Sequence, residues 1–141
     1  MLQPAKVMKA KDEKAKETGF TYEFDEQTGI LFKNYFGPVN LKTLISSWDD
    51  AIAKQIIPAN TKGFILDYRK ATLKVGLHEF TGIPDYYKSH PEIFENKKIA
   101  ILVDNPRDTV VPILVREKDS GYESKPFSTL EAAIQWILEN W

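Results

Sequence analysis

Phe20, Tyr22 and Phe24 alternate with polar residues, the period-2 signature of a strand with one buried face. Asp25-Glu-Gln-Thr-Gly29 supplies a turn, with Gly29 suited to a positive φ, and Ile30–Phe36 reads as the returning strand of a hairpin stopped by Gly37-Pro38. Asn40 fits an N-cap. Leu41, Leu44, Ile45, Trp48 and Ile52 then share one helical stripe, which predicts a helix over about 41–55, closed by Pro58, with Trp48 in the core. Two apolar runs, 62–69 and 97–104, lack clean alternation and suit inner parallel strands buried on both faces. Each carries an aspartate toward its end, Asp67 and Asp104. Between them, residues 76–96 read as helical with interruptions, Pro84 kinking or restarting the helix. Asn105 and Pro106 fit a cap and first helical position. In 109–117 the β-branched residues favour strand, whereas a place between two strands favours a crossover helix; helix is the reading taken. Tyr122–Phe127 predicts a short last strand. Ser128-Thr-Leu-Glu131 reads as a capping box opening a helix over 129–140, whose stripe is Leu130, Ala133, Ile134, Ile137 and Leu138. Residues 1–19 hold five lysines against Asp12, Glu13 and Glu17 and read as a flexible charged tail.

The order is hairpin, then helices alternating with strands. Right-handed crossovers follow, and with them a mostly parallel sheet carrying an antiparallel strand from the hairpin at one edge. After the hairpin, Gly-Pro-Val-Asn at the first helix start, Phe-Ile-Leu-Asp, Lys-Lys-Ile-Ala-Ile-Leu-Val and Phe-Ser-Thr-Leu-Glu-Ala-Ala-Ile-Gln-Trp-Ile come in turn. In that succession the chain resembles the STAS-like (anti-sigma-factor-antagonist-like) domains, in particular small bacterial single-domain members. The resemblance implies one α/β domain over 20–141 with a four- or five-stranded mixed sheet. It further implies a non-catalytic regulatory or protein-interaction module acting near Asp67 to Glu79. Signalling members place a phosphorylatable serine, in an Asp-Ser-Ser-Gly-like motif, at a helix start after the second parallel-type strand. The matching stretch here, Ala71–His78, holds Thr72 and no serine.

A chain of 141 residues and 16.2 kDa is one domain's worth, and 43% hydrophobic with 28% charged residues is ordinary for a globular protein. Nineteen basic against twenty acidic side chains lack the excess of a nucleic-acid binder. The absence of cysteine excludes disulfides, thiolate zinc sites and cysteine nucleophiles. No apolar stretch reaches the ~18 residues of a membrane span, and the start of the chain lacks the apolar segment of a secretory signal, so a cytoplasmic location is expected. Neither nucleotide-binding fingerprint nor Gly-x-Ser-x-Gly occurs, and no cofactor is implied. A monomer or a homodimer is expected.

The chemistry on offer is sparse. Asp67 and Asp104 lie at the carboxyl ends of strands, where ligands gather in open α/β sheets. Two such carboxylates could bind a divalent cation or share acid–base work, or simply cap their loops. Arg69 could present a bidentate fork to an anion or pair with Asp67. His78 and His90 match no zinc spacing. Tyr86 and Tyr87 follow Pro84 and could line a pocket mouth. The candidate site for a ligand or partner is therefore Asp67, Arg69, His78, Tyr86 and Asp104, with no catalytic or metal-binding set. The alternative to an interaction module is a carrier or sensor of a small apolar or lipid-like ligand, gated near Tyr86.

Overall fold

The computed structural model describes residues 4–9 and 19–139. Six strands form one sheet in chain order: β1 (Pro4–Lys9), β2 (Gly19–Asp25), β3 (Ile30–Val39), β4 (Gly63–Leu73), β5 (Lys98–Leu102) and β6 (Glu123–Phe127). The pairings β1–β2 and β2–β3 are antiparallel, and those from β3 to β6 are parallel. β2 to β6 are the five-stranded mixed sheet that the sequence predicts. β1 adds a sixth strand, which corrects the expectation of a tail over Pro4–Lys9. The cause is the open edge of β2: pairing there uses main-chain groups, so a segment poor in large apolar residues can still form a strand. The remainder of the expected tail, 10–18, lies outside the described residues.

The helices are α1 (Leu41–Ala53), α2 (Gly82–Lys88), α3 (Pro91–Phe94), α4 (Val110–Arg116) and α5 (Leu130–Leu138). Asn40 caps α1 by accepting from the Thr43 amide at 2.8 Å. α4 resolves the ambiguous 109–117 segment as helix, entered through a 3₁₀ turn at Pro106–Thr109 whose cap is Asn105. Pro84 does not kink a helix; it sits in the first turn of α2, where a missing amide costs nothing. The cap of α5 is Thr129 rather than Ser128, its hydroxyl accepting from the Ala132 amide at 3.2 Å.

Strand alternation divides the side chains into two layers. Phe20, Tyr22, Tyr35, Phe64 and Leu66 face α1 to α4, around a fully buried Trp48. Ile30, Phe32, Ile65, Ala100 and Leu102 face Ala133 and Ile137 of α5. Gly63 lets that helix approach, since a Cβ there would stand 2.6 Å from Ile137 Cγ2 and 2.9 Å from the Lys98 carbonyl.

Two strands run further than the sequence suggests. β3 continues through Gly37-Pro38, because β2 pairing ends at Gly19–Phe36 and a one-sided strand tolerates proline. β4 overshoots Asp67 by six residues: its pairing with β5 stops at Asp67–Leu102, whereas its pairing with β3 goes on to Val39–Leu73. The register jumps from Asn34–Asp67 to Phe36–Lys70, leaving Tyr35 opposite both Tyr68 and Arg69. This is a β-bulge. It resets the alternation, so that Tyr68, Ala71 and Leu73 all turn toward the α1 layer.

Candidate functional site

The bulge and the overshoot make a crevice at the carboxyl end of the parallel strands. Asp67 and Asn34 are register partners on the α5 face, and Thr21 is the partner of Asn34 on β2. Asp104 follows the end of β5. These residues, with Phe36, Arg69 and Lys70, line an open cavity of about 540 Å³. Among the described residues no helix contributes to its lining, and Arg69, Lys70 and Asp104 are exposed.

Within it, Arg69 closes a bidentate fork on Asp67. Its Nε donates to Oδ1 at 3.0 Å and its Nη2 to Oδ2 at 2.9 Å, while the Arg69 amide also donates to Oδ1 at 3.0 Å. The hydrogen bonds to Asp67 are the chief reason the guanidinium pKa is raised; burial opposes them, and the charges of Asp67, Asp104 and Glu131 add to them. The two aspartates therefore play unlike parts. Asp67 is committed to Arg69, and Asp104 stands exposed. Among the described residues, no three His, Asp or Glu side chains converge in a way that could hold a metal ion.

Of the five residues singled out in the sequence, the structure brings Asp67, Arg69 and Asp104 together. His78 and Tyr86 lie elsewhere. His78 is exposed in the turn after β4, between Val75 and Phe80, which pack into the α1 layer. Tyr86 donates its hydroxyl to Asp49 of α1 at 2.6 Å and stacks on His90 at 4.2 Å between ring centroids. Burial foremost, then the Asp49 bond, pushes the Tyr86 hydroxyl pKa up. The reason for the separation is that α2 crosses on the α1 face, whereas Asp67 and Asp104 point to the α5 face. Thr72 lies inside β4 opposite Pro38, ten residues before the α2 start at Gly82, so it does not stand at the start of the helix that follows β4.

Sequence reasoning missed Asn34, Thr21 and Lys70. The signal was present in β3, where Ile30 and Phe32 give way to Asn34 at the same parity, marking the point at which the α5-side face leaves the core. It also missed Lys33, which is 0% exposed. Lys33 Nζ donates to Ser47 Oγ at 2.7 Å and lies 3.4 Å from the centroid of the Trp48 ring, with the Tyr22 and Tyr35 rings at 5.6 and 5.4 Å. A lysine beside a serine hydroxyl is a known nucleophile–base pairing. Here Ser47 is itself fully buried and donates to the Leu44 carbonyl at 2.6 Å, so no substrate reaches it in this conformation.

No family model matches the chain, and no curated protein sequence matches it. Among solved structures, it is similar to an uncharacterized protein of the DUF3478 family with a SpoIIAA-like fold from Shewanella loihica PV-4. That likeness has a TM-score of 0.56 at 13% identity and covers 85% of this chain and 93% of the other. It is also similar to an anti-sigma factor antagonist from Mycobacterium paratuberculosis, with a TM-score of 0.55 at 12% identity, covering 97% and 98%. The hairpin, the parallel strands and the placement of helices on both faces agree with that architecture, and the fold of this chain is STAS-like.

Proposed function

We propose that this chain is a non-catalytic interaction module whose protein partner docks at the carboxyl edge of the parallel strands. One observation carries the reading. The large hydrophobic side chains exposed among the described residues are Leu77, Val110 and Ile113, at 66%, 48% and 48%. All three follow the carboxyl ends of β4 or β5, the edge that also holds the Asp67–Arg69 fork. Exposed apolar residues at the same end of the sheet as oriented charges are what a protein interface presents: area to bury and charges to set register. The likeness to an anti-sigma factor antagonist supports the same class. With Thr72 inside β4, regulation by phosphate at that position is not part of the proposal.

Photo-crosslinking in the native cell tests it. A benzophenone residue at Leu77 or Ile113 is expected to give one discrete protein adduct, absent when the probe replaces Gln135 on α5. Equal labelling from all three positions, or none, would refute the docking edge.

A second reading, carriage of a small apolar ligand, is favoured by one feature. An open apolar groove of about 720 Å³ lies between Gln27–Thr28 and the Leu130, Ile134 and Leu138 side of α5. It is not gated by Tyr86, which sits on the other face, where the space beneath α4 is about 20 Å³, room for about one water. Native mass spectrometry decides: a co-purifying apolar molecule lost on Ile134→Glu would favour this reading, and a bare chain would remove it.

A further inference from the structure

Lys33 stands in the middle of β3 with its ammonium-bearing end sealed beneath α1. Three rings enclose the nitrogen, and its hydrogen-bond partner is one neutral hydroxyl. That hydroxyl is already engaged: Ser47 donates to the Leu44 carbonyl, so toward Lys33 and Tyr35 it acts as acceptor, the Tyr35 oxygen lying at 2.8 Å. The Tyr22 hydroxyl donates to the Ser47 carbonyl. The carboxylate on this side of α1 is Asp50, whose Oδ1 is 3.1 Å from the Lys54 ammonium and whose Oδ2 is 3.5 Å from the Tyr22 hydroxyl. A charged amine so placed has lost its water and, among the described residues, has no carboxylate in contact, the costly arrangement for an ion.

We propose that docking of α1 onto the sheet releases the proton of the Lys33 amine, making α1 a latch that acid loosens. Among the described residues facing the cage, the tyrosines keep their protons and Lys33 is the group whose charge docking changes. Tyr22 from β2, Tyr35 from β3, Tyr68 stacked on Tyr35 from β4, and Tyr87 of α2 beyond Trp48 all have hydroxyls pushed up by burial and stay neutral. Burial lowers the lysine pKa well below 10.5, and the charge of Asp50 opposes that shift without contact. The sign follows. An opened α1 returns the amine to water, where it binds a proton below about 10.5; the docked form does not until its own lower pKa is reached. The docked population therefore gains as pH rises through that window, and the gain is lost as pH falls toward the docked pKa. Opening α1 also uncovers Ser47 and the aromatic face of Trp48, surfaces that the closed domain hides.

Amide hydrogen exchange of the full chain tests this, comparing α1 with α5, which packs on the opposite face. In the wild type, protection factors of α1 amides are expected to rise up to about tenfold per pH unit relative to those of α5, the slope of a single proton. In Lys33→Met, which keeps the stem and removes the amine, the α1 dependence should flatten to that of α5. A flat α1 profile in the wild type means that the cage holds the cation by its rings, and overturns the proposal. Equal slopes on both faces would show only global linkage and also overturn the latch. Should Lys33→Met fail to fold, the ¹³Cε shift of Lys33 in the wild type, identified by its proximity to the Trp48 ring, gives the answer. A neutral-amine value near pH 8 supports release, and an ammonium value up to pH 10 excludes it.

Discussion

The two faces of the sheet are built to different degrees of closure. On the α1 side, four helices cover the strands, and Trp48 meets Phe64, Phe94 and Tyr87 edge-on at 5.2, 4.8 and 6.1 Å. On the other side, among the described residues, one helix of nine residues lies against strands as long as the eleven of β4. At 1.5 Å per residue the helix spans roughly 14 Å, and at 3.3 Å the strand spans roughly 36 Å, so among the described residues much of that face has no helical cover. Where the cover ends, Asn34, Asp67 and Arg69 replace Phe32 and Ile65. The contrast teaches where to look for binding: a closed aromatic layer supplies rigidity, while the short helix leaves open both a polar crevice and an apolar groove.

The largest test of the contrast is Trp48→Ala. It removes the ring that joins α1, β4, α2 and α3 and is expected to cost about 3–5 kcal/mol, read by denaturant unfolding. Near-wild-type stability would mean that the aromatic layer is not the source of closure. Ile137→Ala empties the thinner layer and should cost about 2–3 kcal/mol, the low end for such a truncation, because α5 borders an open groove and can settle. A cost equal to that of Trp48→Ala would erase the distinction between the faces. Gly63→Ala attacks the helix-to-strand approach on the α5 side and is expected to cost about 1–3 kcal/mol by overpacking, since both the Ile137 side chain and the Lys98 carbonyl stand in the way. The smallest stability effect belongs to the crevice. Asp67→Asn breaks a fork whose arginine side chain is 43% exposed and should change stability by less than about 1 kcal/mol, diminishing further with salt. If the carboxyl edge is the docking surface, the same substitution should weaken cross-linking from Leu77 while leaving the melting temperature nearly unchanged.

Much of the fold was legible in the chain. Period-2 alternation marked β2, helical spacing marked α1 and α5, and unbroken apolar runs marked β4 and β5, because each pattern directly reflects which side chains face a core. The convergence of Asp67, Arg69 and Asp104 at the carboxyl edge was legible, since parallel strands bring their ends to one edge. His78 and Tyr86 did not join them, because facing depends on which side α2 crosses and on a bulge that leaves no mark in a window of residues. Lys33 was passed over for a similar reason. A lysine in Ile-Leu-Phe-Lys-Asn-Tyr-Phe reads as the solvent-facing position of an edge strand until α1 is laid over it.

From β2 onward, the sequence by itself determined the element order, the element types outside 109–117 and the aromatic identity of the main core, all of which rest on local spacing and on side-chain hydrophobicity. Tertiary structure alone decided that Pro4–Lys9 would pair with β2, since an open strand edge recruits backbone and is indifferent to side-chain pattern. It alone decided that β4 would bulge and outrun β5, presenting Arg69 beside Asp67, because register is negotiated between strands distant in sequence. It also decided that one lysine amine would be enclosed by the rings of β2, β3 and α1. Burial is a property of what neighbours cover, and no stretch of chain carries its own neighbours.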